Sequence, residues 1–243
     1  ANGTTDLTLA NSFTLSSGTL STQGGDLIFA GNADISSGAS LDATVLTGTA
    51  GKLEFQQGGT ASGTINARNA TFKIGAAYAV DGDLITSSGT TWELGTSNLD
   101  LSGGMLELGG TVVLDKVLTD NLTSFKLGED TTVTRNQGFT LGGLDLDNST
   151  LTLGSATTDL TIDLGDSSSD NGTDSGSPPG TLATQTADFT ILGTPTITSG
   201  TTISSTGGTF TFADGLSING ATISLLNSTL ALGGSFSNTG GSL

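Results

Sequence analysis

The chain has no cysteine and no histidine, only three prolines, one tryptophan and one tyrosine, and six lysines and arginines against 23 aspartates and glutamates. Each scarcity excludes a kind of chemistry. Without cysteine there is neither a disulfide framework nor a thiolate metal site, a composition that suits an exported chain. Without histidine no Ser-His-Asp or Cys-His arrangement and no His-ligated metal can be built. The formal net charge of −17 opposes nucleic acid and anionic membrane surfaces, both of which need clustered Lys and Arg. No apolar run reaches the roughly 18 residues that a spanning helix needs, so direct membrane insertion is not expected. No basic segment followed by an apolar one precedes Ala1, which predicts either a removed leader or an internal piece of a longer chain.

Gly supplies 38 of 243 positions, and hydrophobic residues make up 34%. That is below the roughly 45–50% of an ordinary globular domain, so a thick core is excluded. The mean hydropathy of +0.08 is equally unsuited to a disordered polar chain. A fold with a thin core remains.

Repetition decides the fold. Apolar doublets separated by one residue start at Leu7, Phe13, Leu20, Leu27, Ala33 and Leu41, and the same short step returns at Trp92, Leu99, Leu106 and Val112. Three steps make a longer period: Leu53, Phe72 and Trp92 are 19 then 20 residues apart, and Leu106, Phe125 and Leu144 are 19 apart twice. Phe189, Phe210 and Leu230 follow at 21 then 20. Within a doublet such as Leu151-Thr152-Leu153 the period is two, which sends the apolar pair inward and the middle residue outward. Between doublets stand Gly, Asn, Asp and Ser, as in Ser102-Gly103-Gly104 and Asp147-Asn148-Ser149, the residues that supply left-handed corners. This spacing is too short for a β-sandwich, and Gly with β-branched residues crowds out helix. The pattern predicts an all-β parallel β-solenoid of three faces, about 20 residues per coil, spanning 1–243 as a single stack.

The same period predicts contacts. Leu53, Phe72 and Trp92, and Leu106, Phe125 and Leu144, should form buried columns. Glu54, Lys73 and Glu93, and Glu107, Lys126 and Asp145, should stand one above another outside, with alternating sign.

One stretch, 166–188, nearly lacks apolar residues and contains Pro178-Pro179; it reads as a loop insertion thrown out from a corner. Asp166, Asp170 and Asp174 within it are the candidate oxygen ligands for Ca²⁺, although their spacing matches no EF-hand loop. Gly24-Gly25-Asp26 and Gly31-Asn32-Ala33-Asp34 resemble a single imperfect pass of a Ca²⁺-binding nonapeptide repeat. Asp81 with Asp83, and Asp145 with Asp147, are two apart and would share one side of a strand, as glycosidase acids do, but each pair borders a turn where Asp caps its own backbone. Arg68 and Arg135 are the only arginines, and neither lies beside an acidic cluster in sequence. Trp92 falls on a core position, whereas Tyr78 reads as a partly exposed corner residue. No catalytic, cofactor or metal site is assigned.

Stretches such as Ser149-Thr150-Leu151-Thr152-Leu153-Gly154, Ser228-Thr229-Leu230-Ala231-Leu232-Gly233-Gly234 and Gly104-Met105-Leu106-Glu107-Leu108-Gly109-Gly110 resemble the repeats of bacterial autotransporter passengers and filamentous-haemagglutinin-type exoproteins. The resemblance covers most of the chain outside 166–188. It implies a right-handed β-helix, secreted or displayed on a bacterial surface, that serves as stalk or adhesin without catalytic activity. The expected function is therefore a structural and adhesive extracellular element, with a host surface or a polysaccharide as ligand. A carbohydrate-active β-helix such as a lyase or epimerase is the alternative, and an ice-binding solenoid is a third, prompted by Thr194-Pro195-Thr196 and Thr209-Phe210-Thr211. Ice binding needs outward Thr in regular ranks, and the outward residues read as mixed. The repeat begins by Leu7 and still runs at Leu232 and Phe236 with no capping helix, which predicts either a segment of a longer repetitive chain or head-to-tail self-association.

Overall fold

A computed structural model describes residues 6–22, 24–44, 51–102, 104–121, 124–141, 143–155, 158–163 and 180–243. Among them there is no helix, and every pairing between extended strands is parallel. The fold is the predicted all-β parallel β-solenoid, with strands stacked about 20 residues apart. The chain forms two compact units, Ala1–Leu108 with Lys116–Leu122, and Gly109–Asp115 with Thr123–Leu243. Asp166, Asp170 and Asp174 lie outside the described residues.

In the first unit each apolar doublet is one short strand. Leu7–Leu9, Leu27–Phe29, Lys52–Phe55, Thr71–Ile74 and Thr91–Glu93 stack on one face. Phe13–Leu15, Ala33–Ile35, Gly59–Ala61, Tyr78–Val80, Leu99–Ser102 and Val117–Asn121 stack on the second. Gly18–Ser21, Ala39–Asp42, Thr64–Asn66 and Leu84–Ile85 make the third. Phe72 lies in register with Leu53 below and Trp92 above, as the period predicts. The inward aromatic rings run continuously: Phe29 stacks on Phe55 at 5.1 Å, and Phe72 meets Trp92 edge to face at 5.6 Å. Leu53 and Phe72 are fully buried, whereas Trp92 is half-buried because its strand is the last of that face. Tyr78 corrects the reading as a corner residue. It is only 1% exposed, packs against Phe55 at 4.2 Å and donates its hydroxyl to the Ala33 carbonyl at 3.0 Å. It begins a strand whose Tyr-x-Val pair points inward, and the surrounding alanines masked that doublet.

The second unit repeats the plan. Ser124–Thr134, Thr150–Leu153, Thr181–Gln185, Thr202–Ser205 and Thr222–Leu225 form one face, and Phe139–Leu141, Leu160–Asp163, Phe189–Leu192, Thr209–Phe212 and Thr229–Leu232 the next. Thr196–Thr198, Gly215–Asn219 and Ser235–Thr239 form the third. Phe125 is in register with Leu144, and Phe189, Phe210 and Leu230 follow one another, as predicted. The loop read over 166–188 needs correction at its far end. Thr181–Gln185 is a strand paired with both Thr150–Leu153 and Thr202–Ser205, and Leu182, Ala187 and the Thr184 side chain are wholly buried. Its doublet is Leu182 with Thr184, so the apolar signal is a single residue. The step from Leu151 to Leu182 is 182 − 151 = 31 residues, so the surplus enters before Gly180.

The corners obey backbone sterics. Asp147 and Asn148 carry φ of 42° and 62° at the turn read from Asp147-Asn148-Ser149, and Asn69 and Asn227 reach 57° and 54°. Gly104 serves a different need, since a Cβ there would lie 1.7 Å from the Gly82 carbonyl oxygen one coil below.

Candidate functional site

The carboxylates do not gather; they are distributed along the stack and bonded to backbone. Asp145 Oδ1 accepts from the Asp147 N–H at 3.1 Å, the turn-capping role weighed against catalysis, and Asp147 Oδ2 lies 3.3 Å from Lys126 Nζ. Asp83 accepts from the Met105 N–H, one coil on, at 3.3 Å. Asp26 and Asp34, the acids of the nonapeptide-like stretches, accept the N–H groups of Lys52 at 2.9 Å and Thr60 at 3.1 Å. Among the described residues no three His, Cys, Asp or Glu side chains form a group able to hold a metal ion.

These bonds reveal a device that sequence reading missed. An Asp at the start of a strand caps a backbone N–H in the neighbouring coil. Asp6 accepts from Asp26, and Asp26 from Lys52; Asp159 accepts from Asp188, and Asp188 from Thr209. Asp115 and Asp130 do the same for Asn136 and Thr150, each at 2.7 Å. The only signal was an Asp recurring at about one coil spacing beside a doublet.

Charge is organised on one face of the first unit. Lys73 stands between its two predicted partners, 3.4 Å from Glu54 and 3.7 Å from Glu93. Lys52 adds a contact at 2.7 Å to Glu54, which is only 7% exposed. Burial presses the Glu54 carboxyl upward, but the Lys52 hydrogen bond with the charges of Lys52 and Lys73 outweighs it and holds the group below its ordinary 4.5. The hydrogen bond to Glu54 in turn raises Lys52 above 10.5, against partial burial. Burial, with the nearby charge of Asp34, pushes the Tyr78 phenol far up.

The second predicted series is only partly met. Lys126 and Asp145 are in register, yet the lysine pairs with Asp147, because the turn bends that carboxylate towards it. Glu107 instead receives the guanidinium of Arg68, which corrects the reading of Arg68 as remote from acids. Arg68 follows the strand Thr64–Asn66 and reaches along the same face. Arg135 is buried, with its guanidinium 5.9 Å from the Phe139 ring centre, and its backbone N–H and C=O both bond the Thr158 hydroxyl.

The second unit presents a different exterior. On its first face Thr150, Thr181, Thr202 and Thr222 form one registered outward column, and Thr132, Thr152, Ala183, Ser204 and Ser224 the column beside it. On the next face Thr140, Thr161, Thr190 and Thr211 are stacked likewise. None of these positions is ionisable. The outward residues are therefore not mixed in this unit, a correction visible only once the excursion before Gly180 is placed and Thr181 falls into line.

No protein-family model, no curated protein and no solved structure matches the chain. What the geometry defines is a class, a parallel β-solenoid repeat protein whose outward side chains form registered ranks.

Proposed function

We propose that the chain is a structural and adhesive extracellular element, a stalk or adhesin of a bacterial surface or fibre that binds through its lateral faces and performs no catalysis. The single observation that carries this reading is the two-column Thr and Ser rank of the second unit. Side chains of one kind recur there at the roughly 4.8 Å strand spacing, without charge, on a strongly acidic chain. Such a surface suits an uncharged, repetitive ligand, so a neutral polysaccharide is the partner of choice. The test is co-sedimentation with insoluble cellulose and chitin. Retention that Thr181→Lys and Thr202→Lys abolish supports the reading; no retention on either polymer, or retention unchanged by both substitutions, rejects it.

The same rank favours ice binding as a second reading, since it meets the requirement of regular outward Thr. Thermal hysteresis in a freezing assay, lost on Thr202→Lys, would favour this reading over the polysaccharide.

A further inference from the structure

Two coils differ from the rest of the chain, and they match each other. In the coil formed by Thr222–Leu225, Thr229–Leu232 and Ser235–Thr239, every strand ends its face and pairs with a strand on one side only. Five large apolar side chains are exposed among the described residues, and four of them, Leu226, Leu232, Phe236 and Leu243, lie in or just after this coil; Phe236 is 44% exposed. The coil formed by Leu7–Leu9, Phe13–Leu15 and Gly18–Ser21 is the other end of its faces, and its Leu7, Leu9, Phe13, Leu15 and Leu20 are only half-buried. Open strand edges with apolar side chains attached are the ready templates for another strand.

The two coils share one spacing. Leu7, Phe13 and Leu20 are 13 − 7 = 6 and 20 − 13 = 7 residues apart, and Leu230, Phe236 and Leu243 are 236 − 230 = 6 and 243 − 236 = 7 apart. The doublet Leu7 and Leu9 matches Leu230 and Leu232. Charge agrees with shape, because residues 7–25 and 215–243 contain no Asp, Glu, Lys or Arg in a chain of net charge −17. The repulsion that keeps acidic surfaces apart is weakest where these two coils would meet.

We infer that the Leu7–Ser21 coil of a second copy seats on the Thr222–Thr239 coil of the first and continues its parallel ladder, with Leu7 over Leu230, Leu9 over Leu232 and Phe13 over Phe236. The contact is the one already made between successive coils within each copy, where Leu7 sits on Leu27 and Phe210 on Leu230. It is heterologous, leaving each copy one free coil, so association is open-ended. The inference stands apart from the adhesive reading, since self-association and ligand retention are measured separately.

Sedimentation velocity of the 243-residue chain across a range of concentrations tests it. Concentration-dependent oligomers are expected, strengthened by salt as the remaining acidic charge is screened. Phe236→Asp should return the chain to monomer with an unchanged circular dichroism spectrum, whereas Val113→Asp, at an exposed apolar residue elsewhere, should not. Register is read by mixing two single-cysteine variants, which the cysteine-free chain permits. Thr8→Cys with Ala231→Cys should give a mixed disulfide under mild oxidation, and Val113→Cys with Ala231→Cys should not. A monomer at every concentration, or oligomers indifferent to Phe236→Asp, would overturn the inference, and equal cross-linking of both pairs would overturn its register.

Discussion

The two units share an interior and differ outside. Phe29, Phe55 and Phe72 in the first and Phe189, Phe210 and Phe212 in the second fill the same kind of thin column between parallel ladders. Outward, the first unit carries Glu54, Lys73 and Glu93 where the second carries Thr181, Thr202 and Thr222. The period-two alternation separates two roles: inward residues set the stack, and outward residues are free to vary while the register repeats whatever they are. A β-solenoid thereby turns one residue choice per coil into an ordered surface.

The largest expected effect tests the shared interior. Phe55→Ala and Phe210→Ala should each cost about 3–5 kcal/mol, because both rings are fully buried. Phe55 should be the costlier, since it touches Phe29, Phe72 and Tyr78, whereas Phe210 touches Phe189 among the aromatics. Hydrogen exchange should show the loss confined to neighbouring coils, as nearest-neighbour stacking requires; uniform loss of protection along both units would contradict it.

The next effect separates the exteriors. Because Glu54 is held below its ordinary 4.5 in the folded chain, it contributes stability above that value which is lost as pH falls through the folded pKa. Urea unfolding of the first unit should weaken on acidification, and Glu54→Gln should flatten that dependence while leaving Lys52 and Lys73 without their shared partner. An unchanged slope would remove Glu54 from the account.

The Asp caps should matter in both units. Asp188→Ala removes the acceptor of the Thr209 N–H and should cost about 1 kcal/mol, and Asp188→Asn, which keeps an acceptor oxygen, should cost less. Tyr78→Phe should cost a similar amount, about 1 kcal/mol, by leaving the buried Ala33 carbonyl without its hydroxyl donor. Equal stability of Asp188→Ala and wild type would make the ladder of carboxylates incidental.

The inward pattern was legible because burial and the period of two act on every doublet: Leu53, Phe72 and Trp92 fell into register as the 19- and 20-residue steps required. Tyr78 was missed because alanines diluted its doublet, and the strand Thr181–Gln185 because a buried Thr184 stands where an apolar residue was sought. The outward side was harder to read. Register predicts which Cα atoms are neighbours, and it did so for Lys126 and Asp145, but a flexible ammonium chooses among carboxylates within reach and took Asp147. Arg68 and Glu107 are 39 residues apart, a pairing no local window contains. The Thr rank was hidden by the 31-residue step from Leu151 to Leu182.

The separation of inward and outward roles is tested most directly by writing the first unit's exterior onto the second. Thr181→Glu, Thr202→Lys and Thr222→Glu together place alternating charges on one registered column and leave the core untouched. The account predicts an unchanged β circular dichroism spectrum and a stability within about 1 kcal/mol of wild type, since alternating neighbours offset one another and each exposed pair is worth about 0–1 kcal/mol. Loss of the β spectrum, or a drop of several kcal/mol, would show that the outward residues help to specify the stack and would contradict it.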